Sequence, residues 1–293
     1  MVINANRIKD MTSDKRLPAL PFALAPKQPL PEIAQCVLSD LFGQFTAHLQ
    51  TLDQSDDPEA VHQARVTWRR FNGVRRLFRP LLLPDAAPSS QALQALLTGL
   101  GDLRDLDVAR LDTLAPLAEA YVAGDARRKA RWQSMMLKLK HTADLQRQTV
   151  RQMLQWPATG EALAATAQWL EAMGDSAAAG AAGMDAKGDA RRWLQRRIRR
   201  WRDAMKRAAL DEGNPQTLHR CRILAKQVRY GVEALRPLLP KKRAQRWCDE
   251  ATQLQTRIGA LRDVQQASTL LARLNVDRGL GEFLRGVAVG AAG

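Results

Sequence analysis

Apolar positions recur every three to four residues along most of the chain, a spacing that predicts helices. The first such series is Ile33, Val37, Leu41, Phe45 and Leu49. Further helical patterns occupy about 58–80, 90–111, 126–156, 161–173, 190–209, 218–240 and 241–274. Because no alternating pattern typical of strands accompanies them, the sequence predicts an all-α protein.

The interruptions between these patterns predict the domain organisation. Residues 1–31 combine charges with five prolines, which predicts a flexible arm. Residues 174–189 are rich in Ala and Gly, which predicts a loose linker between a first bundle at 32–173 and a second at 190–280. A short tail is expected at 281–293. Asp57 followed by Pro58 predicts a capped helix start, and Gly124 with Asp125 predicts a turn.

One basic helix occurs twice, as Val61–Pro84 and as Leu218–Pro240. At an offset of 157 residues the matched pairs are His62 and His219, Arg65 and Arg222, Val66 and Ile223, Arg69 and Lys226, and Arg79 and Arg236. The duplication predicts two helical bundles related by an internal pseudo-twofold axis.

The two copies repeat the same charged face. At about 100° per residue, His62, Arg65, Arg69, Asn72 and Arg76 share an arc of about 80°, whereas Phe71 lies on the opposite, packing side. The second copy places His219, Arg222, Lys226, Arg229 and Glu233 at equivalent phases.

Like charges on one face repel, so such a stripe favours a facing anion. For a single helix, a basic face exposed to solvent would be the simpler explanation. The same face recurs at the same helical phases in a second helix, which disfavours that explanation. We interpret both histidines as anion contacts, and since an imidazole gains a proton near pH 6.5, binding should tighten as the pH falls.

A second short pattern also repeats, as Gly101–Asp105 and Gly259–Asp263. Our interpretation is that each Gly permits close helix packing, while Asp105 and Asp263 each orient an Arg of the facing stripe. The alternative is a metal or acid–base pair. No carboxylate cluster repeats, because Asp102 and Asp107 have no acidic counterparts, and this disfavours the alternative.

The amino-acid composition limits the chemical class of the binding partner. Forty-five Lys and Arg against thirty Asp and Glu leave a net charge of +15 in 293 residues, which predicts a nucleic acid, an anionic membrane surface or a phosphate polymer. Three scattered cysteines indicate a reducing compartment, and neither a leader nor a spanning segment is evident, so we expect a cytoplasmic protein. Arg192, Arg196 and Arg199 follow the linker and are expected to extend the positive surface of the second His helix.

Together these motifs resemble the conserved histidine α-helical domain family, CHAD, over about residues 30–277. The resemblance implies two four-helix bundles around a basic central channel that binds inorganic polyphosphate, in bacterial or archaeal proteins that can associate with polyphosphate granules. The expected contacts are His62, Arg65, Arg69, Arg70, Arg76, His219, Arg222, Lys226, Arg229, Arg192, Arg196 and Arg199, with Asp105, Asp263 and Glu233 in support. Asn72 and Gly73 stand where the second copy has Arg229 and Tyr230, so we expect the first half to contact fewer phosphates.

The predicted function is polyphosphate binding without catalysis, a cofactor or a metal. A nucleic-acid-binding module is the first alternative, but the tryptophans lie at packing phases rather than among the basic residues. A metal-dependent phosphohydrolase is the second, and it would need a carboxylate cluster or an activated nucleophile that the sequence lacks. The oligomeric state is left open.

Overall fold

The structure of the protein, a computed structural model, describes residues 29–82, 88–180, 190–210, 215–273 and 278–292. Side chains are not described at 175–180, 215, 257–268, 270–273, 278, 285 and 288–292. The α-helices are α1 Leu30–Gln54, α2 Pro58–Phe78, α3 Gln94–Asp107, α4 Ala118–Val122, α5 Ala126–Leu154, α6 Pro157–Gly180, α7 Ala190–Ala208, α8 Pro215–Ala234, α9 Lys241–Arg273 and α10 Arg278–Ala292. The described residues contain no strand, which confirms the all-α prediction.

Helices α1 and α2 pack extensively against each other in the first part of the chain. The apolar series that begins at Ile33 is buried along α1. It meets aromatic residues of α2, where the rings of Phe45 and Trp68 lie 4.8 Å apart and those of Trp68 and Phe71 lie 5.4 Å apart. Each fully buried side chain of this size contributes about 1.5–3 kcal/mol. The remaining face of α2 is thereby left to its polar residues.

The predicted start of α2 is confirmed. Asp57 caps the helix, because its side chain accepts a hydrogen bond of 2.9 Å from the backbone N–H of Glu59. Pro58 occupies the first turn, where its missing N–H leaves no acceptor unpaired. The predicted turn before α5 is also present: Ala123 and Gly124 have φ values of 45° and 81°, and Asp125 caps α5.

Two arginines bind the carbonyl groups that helix ends leave without partners. Arg151 of α5 donates from Nε to the Leu52 carbonyl at the end of α1, over 3.0 Å. Arg197 of α7 donates in the same way to the Leu77 carbonyl at the end of α2, also over 3.0 Å. Close by, the rings of Phe78 and Trp193 stack at 5.9 Å. The contacts of Arg197 and Trp193 therefore join α7 of the second half to α2 of the first.

Three predicted boundaries are wrong. Helix α1 begins at Leu30, so the predicted arm is too long by two residues. Helix α6 continues to Gly180, because the alanines at 177–179 favour helix over the loose linker that we predict from 174. The third boundary is that of the short tail at 281–293: helix α10 begins before it and extends to Ala292, which agrees with a partly truncated last helix after Gly279. The rest of the predicted arm and linker, residues 1–28 and 181–189, lies outside the described residues.

A seven-residue π-helix, Val108–Leu114, follows α3 directly, and the sequence pattern does not predict it. Asp107 at its start is fully buried, with carboxylate oxygens 3.6 Å from Arg147 and 3.7 Å from Arg110. Burial raises the pKa of the Asp107 carboxyl, while the neighbouring arginines act in the opposite direction. This buried charge cluster fixes the end of α3 against α5.

Candidate anion-binding site

The stripe on α2 lies on the side of that helix away from its packed aromatic residues. We call His62, Arg65, Arg69 and Arg76 the α2 stripe. Arg76 is exposed, and the other three are partly buried. Val61, Ala64, Phe71 and Phe78 are buried behind them. The structure therefore places the four predicted side chains on one partly accessible face, as their helical phases require.

Arg65 lies directly against the backbone of α3 at Gly101. A Cβ atom at Gly101 would be only 2.6 Å from Nη1 of Arg65, so any larger residue would displace the guanidinium. Asp105 is one helical turn beyond Gly101, on the same face of α3. The sequence predicts that Gly101 permits close helix packing, whereas the structure shows that it makes room for the Arg65 side chain. The proposed role of Asp105 in orienting Arg65 stays a prediction.

The electrostatic surroundings of Arg65 are unusual for an arginine. Burial is the main cause that lowers the pKa of Arg65 to about 10, and the repulsion from Arg69 adds to it. The carboxylates of Asp105 and Asp102 act in the opposite direction. The guanidinium is thus still charged at neutral pH, but it is partly desolvated and close to another cation. A further anion at this position would relieve both effects.

The α8 copy of the stripe consists of His219, Arg222 and Lys226. His219 is exposed, and Arg222 and Lys226 are partly buried. The counterpart of the Gly101–Asp105 pattern lies in α9, where the side chains of Arg262 and Asp263 are outside the described residues. The predicted support of Arg222 by Asp263 is therefore not addressed by the structure.

Helices α2 and α8 touch each other, and the contact is made by residues at equivalent positions of the two copies. Gly73 leaves room for Tyr230, whose Cβ lies 3.7 Å from the position of a Cβ on Gly73. Beside them, Nη2 of Arg70 lies 3.4 Å from Glu233, and Nη1 of Arg229 lies 3.8 Å from the other carboxylate oxygen. We call Arg70, Arg229, Tyr230 and Glu233 the junction cluster.

The junction cluster corrects two expectations. Arg70 and Arg229 are only 2% and 8% exposed and face the Glu233 carboxylate, so they do not lie on the accessible surface that we expect to bind an anion. The two His helices also cannot form separate walls along their whole length, because they are packed together at Gly73 and Tyr230. The difference between Asn72–Gly73 and Arg229–Tyr230 has a packing role, since Tyr230 occupies the space that Gly73 leaves.

Arg192, Arg196 and Arg199 are exposed on α7, but not beside the α8 stripe. Helix α7 packs on α8 through Ile198 and Trp201, which approach Gly231. The three arginines lie about 100–160° around α7 from Ile198. The expectation that they extend the positive surface of α8 is therefore wrong, because the apolar side of α7 has to face α8.

Sequence reasoning missed Arg243 and Arg246 on α9. Both are exposed and lie across a groove from the arginines of α7. Their spacing of three residues places them on one face of α9, a signal that the sequence contains. The groove itself could not be predicted, because it depends on how α7 and α9 pack.

Other features limit the chemistry of the site. Within the described ranges, no group of three or more His, Cys, Asp and Glu side chains could hold a metal ion. Trp132, Trp169 and Trp247 are buried, and Trp68, Trp193 and Trp201 pack partly buried against the core, which agrees with their predicted packing phases. The helices described here include none with the length and apolar character needed to cross a membrane.

The geometry can now be compared with known proteins. The family model of the CHAD domain matches residues 36–272. The chain belongs to the CHAD domain family. No curated protein matches it.

The CHAD fold is also evident from a solved structure. The crystal structure of the CHAD domain from the plant Ricinus communis has a TM-score of 0.75, is 22% identical in sequence, and covers 94% of this chain and 91% of its own. This likeness covers most of the chain. It also shows that the expectation of a family confined to bacteria and archaea is wrong, since a plant has a CHAD domain.

Proposed function

We propose that this CHAD protein binds inorganic polyphosphate through the α2 stripe and its copy on α8. The family is associated with polyphosphate binding in general. The observation that carries the proposal for this chain is the position of Arg65, whose partly buried guanidinium lies on Gly101 beside a second cation, Arg69. This arrangement holds positive charge at the surface at an electrostatic cost that phosphate groups would offset.

The contact set that we propose is smaller than the sequence predicts. It contains His62, Arg65, Arg69 and Arg76 on α2, and His219, Arg222 and Lys226 on α8. Arg70 and Arg229 are left out because they are buried against the Glu233 carboxylate. Arginine suits this role because its planar guanidinium binds two phosphate oxygens at once. Since polyphosphate presents the same group at each unit, no sequence has to be recognised.

We further propose that the two stripes line a channel between two four-helix bundles related by pseudo-twofold symmetry. Each histidine lies eleven residues before the contact of Gly73 with Tyr230, which is about 16 Å along its helix. The N-terminal parts of α2 and α8 would diverge from this contact and enclose the chain of phosphates. The junction cluster then lies at one end of the channel and sets the distance between its sides, and Arg76, three residues beyond Gly73, contacts phosphates outside that end.

We propose that binding is not accompanied by hydrolysis, and that the protein is cytoplasmic and located at polyphosphate granules. Non-catalytic binding agrees with a site made of cations, since phosphoryl transfer usually needs a metal or an activated nucleophile as well. Release of phosphate from polyphosphate in the presence of Mg²⁺ or Mn²⁺, abolished by Asp105→Ala, would contradict this part of the proposal.

The direct test is titration with long-chain polyphosphate at several salt concentrations. By analogy with other polyanions, the affinity should fall steeply with salt, because binding releases counterions. Affinity that is absent or insensitive to salt would refute the proposal. Displacement of polyphosphate by RNA or DNA at equal phosphate concentration would instead favour the nucleic-acid-binding alternative.

A further inference from the structure

A groove of about 380 Å³ lies between α7 and α9, and its lining is unusually basic. Six of its eight lining residues are arginines, and none is acidic. Arg192, Arg196 and Arg199 approach from α7, and Arg243 and Arg246 from α9. We call these five arginines the outer groove. Arg199 also lies 4.0 Å from Asp203 of the same helix, but this pair is exposed and contributes little. The clustered guanidiniums leave the groove with a positive field that attracts anions.

The outer groove is separate from the α2 and α8 stripes. Its α7 arginines point away from α8, as their helical phases relative to Ile198 show. On α8, Cys221 faces α7, where its Sγ donates to the Met205 carbonyl over 3.8 Å, and His219 lies about 160° around the helix from Cys221. The α7 arginines and the α8 stripe therefore lie on different sides of the packed pair α7 and α8.

The groove has a rigid base. Arg202 donates two hydrogen bonds, of 2.6 Å and 3.1 Å, to the carboxylate of Glu250, which joins α7 to α9 beneath the exposed arginines. Across the rim, Arg243 donates to Gln195 over 2.6 Å. Glu250 also lies 3.4 Å from Nζ of Lys206, so its charge is shared between two cations at the base of the groove. The two walls are thus held at a fixed distance with their guanidiniums at the surface.

The chemistry of the lining selects the ligand. Guanidiniums from two walls match a chain of phosphate groups, each of which accepts hydrogen bonds on several sides. Trp247 is the aromatic residue of the groove, and it is only 3% exposed, so it offers no ring face on which a nucleobase could stack. A condensed phosphate therefore fits the groove better than a nucleic acid.

We propose that the outer groove is a second phosphate-binding site, which holds a segment of the polyphosphate chain outside the channel. This inference rests on the proposed function for the identity of the polymer, but not for the existence of the groove site. Two separate sites would let one long chain wrap around the second half of the protein, and the linked sites would increase its affinity beyond that of either site.

The test uses the full chain and two probes, tripolyphosphate and long-chain polyphosphate. The groove variant is Arg196→Ala with Arg246→Ala, one exposed residue from each wall. The matched control is Arg200→Ala with Arg207→Ala, which removes two exposed arginines of α7 that do not line the groove. Circular dichroism and thermal melting establish that each variant is folded. Calorimetry then gives the number of tripolyphosphate molecules bound.

Wild type and control should bind two tripolyphosphate molecules, and the groove variant one. The affinity of the groove variant for long-chain polyphosphate should fall about tenfold, and its salt dependence should be shallower by about one to two units of logarithmic slope. One bound tripolyphosphate in the wild type, or a groove variant that binds both probes like the control, would overturn the inference.

A third protein separates this inference from the proposed function. Arg65→Ala with Arg222→Ala alters only the stripes. If this variant and the groove variant each bind one tripolyphosphate molecule, both proposals stand. If it binds like wild type and the groove variant binds nothing, the stripes fail as the polyphosphate site and the outer groove becomes the main one.

Discussion

The junction cluster offers a sharp test of how the two halves are joined. Glu233 is the carboxylate between Arg70 and Arg229, and the side chains of these three residues are 15%, 3% and 9% exposed. In Glu233→Gln the shape of the side chain is kept, but two buried guanidiniums lose their counterion. Removal of one partner from a buried ion pair costs about 3–5 kcal/mol, because the other charge remains buried.

The structure favours the lower end of this range. The two separations, 3.4 Å and 3.8 Å, are longer than those of ideal charged hydrogen bonds, and Glu233 retains some contact with solvent. We therefore expect a loss of about 3 kcal/mol in the free energy of unfolding. For a protein of this size about 2–4 °C accompanies each kcal/mol, so the melting temperature should fall by about 6–12 °C.

Urea unfolding and thermal melting at pH 7 measure this effect. Glu171→Gln, which alters an exposed carboxylate of α6, is the matched control and should change stability by less than about 0.5 kcal/mol. Arg70→Met in the Glu233→Gln background should restore part of the lost stability, because it removes one of the uncompensated charges. A loss below 1 kcal/mol in Glu233→Gln would refute the view that the junction cluster is a buried charge cluster.

Three further predictions concern other parts of the molecule. Gly101→Ala should weaken polyphosphate binding several-fold, because the new Cβ displaces the Arg65 guanidinium. The free energy of unfolding should not fall, because Ala favours helix over Gly by about 1 kcal/mol. The hydrogen bonds from Arg202 lower the pKa of the Glu250 carboxyl from its usual 4.5, so its contribution is present above about pH 4.5 and is lost as the pH falls further. Glu250→Gln should therefore reduce stability at pH 7 by about 1 kcal/mol, after allowance for solvent screening, and by little at pH 3. His62→Gln with His219→Gln should weaken polyphosphate binding several-fold, because both imidazoles belong to the proposed contact set.

Each of these predictions has a control or a contradicting result. Gly160→Ala, where no atom lies within 4 Å of the new Cβ, should stabilise the protein without altering affinity, and equal affinity of Gly101→Ala and wild type would show that Arg65 does not contact the polymer. An effect of Glu250→Gln that is the same at pH 3 and pH 7 would exclude the charge as its cause. An unchanged affinity of the histidine variant for polyphosphate would remove both imidazoles from the contact set.

Much of the fold follows from local sequence. The spacing of Ile33, Val37 and Leu41 predicts α1, and the cap at Asp57 predicts the start of α2, because these signals act within one helix. The His and Arg stripes follow from helical phase alone for the same reason.

What the sequence did not reveal depends on contacts between distant segments. Asp107 and Arg147 pair inside the protein forty residues apart, and neither lies in a repeated motif. Arg70 has the residue type of an exposed anion contact. Only the packing of α2 on α8 shows that it is buried and forms an ion pair with Glu233. The direction of the α7 arginines likewise depends on which side of α7 faces α8. These outcomes are set by tertiary packing rather than by helical periodicity.

The central claim is that the two repeated stripes form the polyphosphate site. Its most direct test is the affinity of Arg65→Ala with Arg222→Ala for long-chain polyphosphate, measured beside Arg200→Ala with Arg207→Ala, which removes the same number of charges from an exposed face of α7. The stripe variant should bind at least tenfold more weakly than this control, with a shallower dependence on salt. Equal affinities of the two variants would mean that net charge alone attracts the polymer, and would contradict the account.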